Sequence, residues 1–257
     1  MHAHPEKFQK AKVVSRQDYA DDLWSIRVQP EERLPFKPGQ YATLGLEDAA
    51  GHLHEKPYSI VSSPLEEEVE FFFELVPQGK LTPVLHDVTR GDTILMRRQA
   101  KGLFTLDEKT GHRKHFLIST VTGVAPYVSM VRTLVREAKH GKPPNLRLVV
   151  LQAASRSWEF AYRSELEALS KPDSWLHYVP TVSRPWEDPK WHGEVGRAED
   201  VIRKYMDQSE FEPSNTTLYV CGHPSMIENA KGIFKRRGFT KESIREEVYW
   251  VEKKGTK

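Results

Sequence analysis

A chain of 257 residues, 38% hydrophobic and 29% charged, has enough apolar surface for one large core or two modest ones and too much for disorder to prevail. A formal net charge of +2 gives no global attraction for nucleic acid, no apolar run approaches bilayer length, and residues 1–12 are too polar for a signal peptide. A single cysteine, Cys221, excludes an internal disulfide, a thiolate zinc cage and a resident iron–sulfur cluster, so the cytoplasm is the expected compartment.

The first hundred or so residues read as β. Short apolar stretches at 41–46, 58–61, 69–76 and 93–96 are separated by turn-formers such as Pro38–Gly39, Pro77 to Gly79 and Gly91–Asp92. Repeated short strands with that punctuation predict an antiparallel barrel or sandwich. From His115 the pattern becomes strand–helix alternation: a strand at 115–119, a helix at 126–140, a strand at 146–151, a helix at 159–169, a strand at 176–182, a helix at 198–206, a strand at 217–221 and a helix at 224–237. Apolar strands alternating with helices predict a parallel sheet with helices on both faces. The polar stretch 107–114 suggests a boundary there, with domains at 1–110 and 111–257.

Four segments carry chemistry. In Lys56-Pro57-Tyr58-Ser59-Ile60 an extended strand points Lys56 and Tyr58 to one side, an aromatic surface beside a cation, with the Ser59 hydroxyl adjacent. In Gln78-Gly79-Lys80-Leu81-Thr82-Pro83, Thr82 suits an N-cap and Pro83 the first helical position, a local pattern for an anion or simply for a capped surface helix. Ser119-Thr120-Val121-Thr122-Gly123-Val124-Ala125-Pro126 lies between a parallel strand and its helix, where open α/β sheets bind dinucleotides, although only one glycine is present. Val220-Cys221-Gly222-His223-Pro224-Ser225-Met226 is a second strand end of that kind. His52 and His54 form an H-x-H in a polar loop without an evident third ligand, so no metal is expected. The hydrolase and zincin motifs are missing.

Taken in order, these segments resemble the ferredoxin–NADP⁺ reductase superfamily, most closely its bacterial ferredoxin/flavodoxin–NADP⁺ reductase subclass. Lys56-Pro57-Tyr58-Ser59 is similar to the flavin motif Arg-x-Tyr-Ser/Thr, with lysine in the first place, and Gly79-Lys80-Leu81-Thr82 to the phosphate loop Gly-x-Leu-Thr/Ser. Thr120 to Pro126 resembles Thr-Gly-Thr-Gly-Ile-Ala-Pro with Val121 for a glycine, Cys221 to Met226 fits Cys-Gly-x-Pro-x-Met, and Val248 to Lys253 looks like the aromatic tail.

The resemblance implies an FAD-binding barrel followed by an NADP-binding α/β domain. It implies that Tyr58 stacks on the flavin ring, that Ser59 hydrogen-bonds near its N5, and that Lys56 and Gly79–Thr82 (Gly79, Lys80, Leu81, Thr82) hold the pyrophosphate. Pro57 and Ile60 complete the flavin strand. Thr122, Gly123, Val124, Ala125 and Pro126 would bear the NADPH pyrophosphate, with Cys221 and Gly222 near the nicotinamide. Arg156, Arg184 and Arg197, at or beyond strand ends, would hold the 2′-phosphate. Trp250 would lie over the flavin and move aside before hydride transfer. Ser59, Cys221 and Trp250 are thus the candidate catalytic residues. A nicotinamide gives up a hydride whereas iron–sulfur carriers take single electrons, and a flavin serves both. The expected acceptor is therefore a separate acidic ferredoxin or flavodoxin, met by local Lys/Arg groups, and the protein is expected to be monomeric. A flavin reductase or oxygenase reductase component is the alternative on the same fold. A non-catalytic flavin-binding electron-transfer subunit is the alternative of another class.

Overall fold

The computed structural model describes residues 5–48 and 50–249. Two long strands come first, β1 (Phe8–Ala20) and β2 (Leu23–Pro30), followed by β3 (Tyr41–Glu47), β4 (Leu53–Ser59), β5 (Val69–Glu74), the one-turn helix α1 (Thr82–His86) and β6 (Thr93–Arg97). The second half runs β7 (Lys114–Thr120), α2 (Ala125–Lys139), β8 (Arg147–Ala154), α3 (Arg163–Leu169), β9 (Leu176–Val182), β10 (Glu194–Val195), α4 (Ala198–Gln208), β11 (Thr216–Gly222), α5 (Pro224–Arg236) and β12 (Ile244–Val248). No described helix is long and apolar enough to cross a membrane.

The chain divides into two compact units, 1–106 with 125–143, and 107–124 with 144–257. In the first, six antiparallel strands run in the order β4-β3-β6-β1-β2-β5, and a bridge between Ile60 and Phe71 brings the two edges together as a barrel. Its core holds Trp24, Ile26, Val28, Leu44, Ile60, Phe71 and Phe73. Helix α2 belongs to this unit through buried polar contacts. Ser129 Oγ donates to the Ser62 carbonyl (2.7 Å), Thr133 Oγ1 to Ser63 Oγ (2.9 Å), and Arg132 Nη1 lies 2.7 Å from Glu70 Oε2. Glu70 is buried and also accepts from Arg27 on β2 (2.6 Å), so its carboxylate is matched by two guanidiniums.

In the second unit six parallel strands run in the order β10-β9-β8-β7-β11-β12. Strands β7, β8 and β11 are almost wholly buried, as their continuous apolar runs predict. Helices α4 and α5 pack on them through Val201, Ile202, Ile227, Ala230 and Phe234. The expected helix at 159–169 is shorter: Tyr162 adopts a left-handed conformation (φ 63°) and α3 begins only at Arg163.

Candidate functional site

On the barrel, β4 pairs with β3 so that Tyr58 faces Ala42 and Lys56 faces Leu44 in register. Lys56 and Pro57 are exposed, whereas Ser59 and Ile60 are buried. The Tyr58 ring meets Phe73 edge-on, centroids 4.8 Å apart at 70°. Its hydroxyl is buried and has no hydrogen-bond partner among the described residues, and burial holds the phenol far above its ordinary titration range. A phenol oxygen in that condition costs roughly 1–3 kcal/mol unless something else supplies a partner. The ribityl and phosphate oxygens of a flavin nucleotide are groups that do so, and the residues here fit one.

The loop 76–82 is fastened by its own backbone. Gly79 N–H donates to the Val76 carbonyl (2.8 Å), and a Cβ on Gly79 would lie 2.9 Å from that same oxygen. Thr82 is not the N-cap, contrary to expectation. Leu81 takes that position, and Thr82 Oγ1 instead accepts from Val76 N–H (3.0 Å) and donates to Val76 O (3.2 Å). The hydroxyl holds the loop shut at its base and Leu81 is fully buried.

In the second unit the sheet changes direction between β7 and β11: β8, β9 and β10 lie to one side of β7 and β11 and β12 to the other. Strand carboxyl ends at such a switch point are where open α/β sheets accept nucleotides. The loops leaving the two strands are locked together. Thr120 Oγ1 accepts from His223 N–H (2.9 Å), a Cβ on Gly222 (φ 124°) would come within 2.2 Å of that oxygen, and a Cβ on Gly123 would come within 2.4 Å of the Cys221 carbonyl. At Gly123 it is the neighbouring backbone that leaves no room for a side chain; at Gly222 it is the Thr120 hydroxyl together with a φ that favours glycine. Val121 occupies a left-handed conformation (φ 39°), which a β-branched side chain adopts only under strain, and it packs against Ala154, Phe160, Val182 and Trp191. Val124, Ala125 and Pro126 are buried, so from this segment Thr122 and the backbone are what a ligand meets.

Cys221 is fully buried. Burial, reinforced by the charge of Glu247 and opposed by a hydrogen bond with Tyr249, pushes its thiol well above the ordinary range, so it stands as a neutral S–H rather than a thiolate nucleophile. Its register partner on β7 is Ser119, whose buried hydroxyl has no partner among the described residues. In the sequence Ser119 is the last residue of the strand expected at 115–119, and nothing but the strand register could have paired it with Cys221.

Arg156 and Arg184 follow β8 and β9 and come together with Glu187, while Arg197 is exposed just before α4, its N–H donating to Asp200 (2.9 Å). Trp250 lies outside the described residues, as do Lys253 to Lys257. His54 Nε2 is 2.7 Å from the Asp48 carboxylate, and among the described residues no group of three or more potential metal ligands occurs.

A family model described as an oxidoreductase NAD-binding domain matches residues 117–232. Among curated proteins the chain is similar to a flavodoxin/ferredoxin–NADP reductase of Escherichia coli, 30% identical over 227 residues that cover 86% of this chain and 87% of the relative. It is similar also to ferredoxin–NADP reductase A of Sorangium cellulosum, 28% identical with 88% and 82% covered. Among solved structures, a ferredoxin NADP⁺ reductase from Neisseria gonorrhoeae with bound FAD and NADP superposes with a TM-score of 0.82 at 21% identity, covering 95% of this chain and 99% of that one. With this extent of identity on both chains, the protein belongs to the ferredoxin–NADP reductase family.

Proposed function

We propose that the protein is an FAD-dependent reductase that takes electrons from NADPH and delivers them singly to a ferredoxin or flavodoxin in the cytoplasm, acting as a monomer. The observation that carries this reading is the buried Tyr58 hydroxyl left without a partner on the strand that bears the flavin motif. Bound there, FAD supplies the ability to accept a hydride and to release electrons one at a time. Tyr58 gives the ring a surface and a hydrogen-bond donor, Ser59 a hydroxyl next to it, and Lys56 a cation in solvent for the pyrophosphate. The Gly79–Thr82 loop, shut by Thr82, presents backbone at fixed geometry. In the second unit the Thr120–Gly123 and Cys221–His223 loops offer a close-packed floor for the nicotinamide nucleotide. The Cys221 S–H is a neutral neighbour that neither attacks nor protonates. Exposed lysines Lys7, Lys10 and Lys12 on the barrel offer positive charge to an acidic carrier.

The test is direct. The purified protein is expected to be yellow, to release FAD rather than FMN on heating, and to bleach on anaerobic addition of NADPH. Cytochrome c reduction should then require added ferredoxin or flavodoxin. A colourless protein that takes up no FAD on reconstitution rejects the reading. Bleaching by NADPH without any dependence on a carrier rejects the acceptor.

A further inference from the structure

The loops that leave β8 and β9 form one polar cluster. Ser183 N–H donates to the Ala154 carbonyl and Arg184 N–H to the Ser155 carbonyl, each at 3.0 Å, while Ser157 N–H donates to Asp188 Oδ2 at 3.0 Å. Ser155 N–H donates to Glu159 Oε2 at 2.9 Å. These bonds fix where the side chains start. Arg156 Nε then donates to Glu187 Oε2 (2.6 Å), its Nη2 touches the same oxygen, and its Nη1 reaches Glu159 Oε1 (3.2 Å). Arg184 Nη1 lies 3.6 Å from the other Glu187 oxygen, Oε1. Glu187 thus joins two guanidiniums with one oxygen each. That arrangement is how a phosphate is ordinarily held between two arginines.

Charge makes the point sharper. Arg156 and Arg184 contribute two positive charges, and Glu159 and Glu187, the carboxylates that contact them, two negative, so these four groups balance, with Asp188 a further negative charge beside them. An arginine pair without those carboxylates would attract a dianion; this one already contains its counter-ion. The groups remain within reach of a solute, with Arg184 48% exposed, Glu187 34% and Arg156 28%.

We propose that Glu187 sets nucleotide discrimination in this protein: its carboxylate stands between Arg156 and Arg184 as a resident competitor of the 2′-phosphate. NADPH must displace it from both guanidiniums before its own phosphate can be held. NADH needs no displacement, and a carboxylate at this place is an acceptor for the free 2′-hydroxyl. Glu187 therefore narrows the preference for the phosphorylated nucleotide. The inference rests on the nucleotide reading above, and on arginines whose partners only the folded loops reveal.

The experiment is calorimetric titration of the holoprotein with adenosine 2′,5′-bisphosphate and with 5′-AMP. Glu187→Gln keeps the size and removes the charge. It is expected to tighten the bisphosphate by about tenfold, since a charge-assisted contact is exchanged for a neutral one, and to alter 5′-AMP by less than about twofold. The gain should disappear in Glu187→Gln with Arg184→Ala. Glu187→Ala is the second variant, expected to tighten the bisphosphate in the same way. If both single variants bind the bisphosphate as the wild type does, or if none of the proteins binds it, the inference is overturned. Flavin bleaching by NADPH is a separate readout: its failure with the bisphosphate series intact rejects the proposed function and leaves Glu187 as the discriminator of a bound nucleotide.

Discussion

The Tyr58 hydroxyl, buried beside Phe73 with no hydrogen-bond partner among the described residues, costs the fold stability, and the proposed flavin would supply the missing partner. Tyr58→Phe is therefore expected to leave the apoprotein as stable or more stable, while FAD affinity falls by about 1 kcal/mol, roughly five- to tenfold. Melting of apoprotein and FAD titration of the same sample check both signs. A fall in apoprotein stability would mean the hydroxyl has a partner in the fold. His115 gives a pH signature of its own. Burial pushes it down to about 4, against the charge of Asp107 and with the help of His112 and Arg245. Its folded value lies below the unfolded one of about 6.5, so the fold favours the neutral ring. Stability from this group is complete above pH ~6.5 and drains as pH falls toward 4, because the unfolded chain takes a proton that the folded one refuses. At about 1.4 kcal/mol per unit, the loss between pH 7 and 4.5 is roughly 2–3 kcal/mol. Urea unfolding of His115→Asn should show a pH dependence flatter than wild type by that amount; parallel curves would show that His115 is not the group responsible. Neither behaviour was legible in the sequence. Tyr58 and Ser59 were found as a motif, but the lone hydroxyl depends on which neighbours fail to reach it. His115, a polar residue opening an apolar strand, gave no sign that Tyr219 Oη would lie 3.3 Å from its Nδ1.

Strand ends and the loops that leave them make the candidate site. The lock between Thr120 and Gly222 predicts that Gly222→Ala is severe. Its Cβ would sit 2.2 Å from Thr120 Oγ1, at a φ of 124° that alanine avoids. A loss of more than about 2 kcal/mol in urea unfolding is expected, together with weakened NADPH binding and retained FAD. Wild-type stability in that variant would mean the two loops are not in contact. At this level the sequence was informative wherever burial is two-sided. Strand β9 falls on the expected 176–182, and β7, β8 and β11 differ from expectation by a few residues at their ends, because continuous apolar runs between turn-formers have few other readings. It was uninformative where periodicity is broken or diluted. In β1 the alternation slips at bulges between Val13 and Ser15 and between Asp18 and Ala20, so thirteen residues with the right composition show no steady period. Strand β12, with the sequence IREEV, is an edge whose charged residues read as loop. The Glu187 clamp is invisible for another reason: ion pairs between two loops follow from tertiary geometry, and three arginines near strand ends look alike until the loops are folded.

As a whole, the molecule has two units, but the chain passes between them three times, at 106/107, 124/125 and 143/144. Helix α2 follows the Thr120–Val124 loop in sequence and belongs by its contacts to the barrel. This has a consequence for how the protein is made. The ribosome delivers Glu70 long before Arg132, its second guanidinium, which is 62 residues further on. At roughly 5–20 residues per second that interval is several seconds, during which the nascent barrel holds a carboxylate destined for burial with Arg27 alone, and the Ser62 carbonyl still awaits Ser129. The barrel cannot be finished in the order it is translated; its completion waits until β7 and the Thr120–Val124 loop have also left the exit tunnel. The first unit to begin is thereby tied to the synthesis of the second.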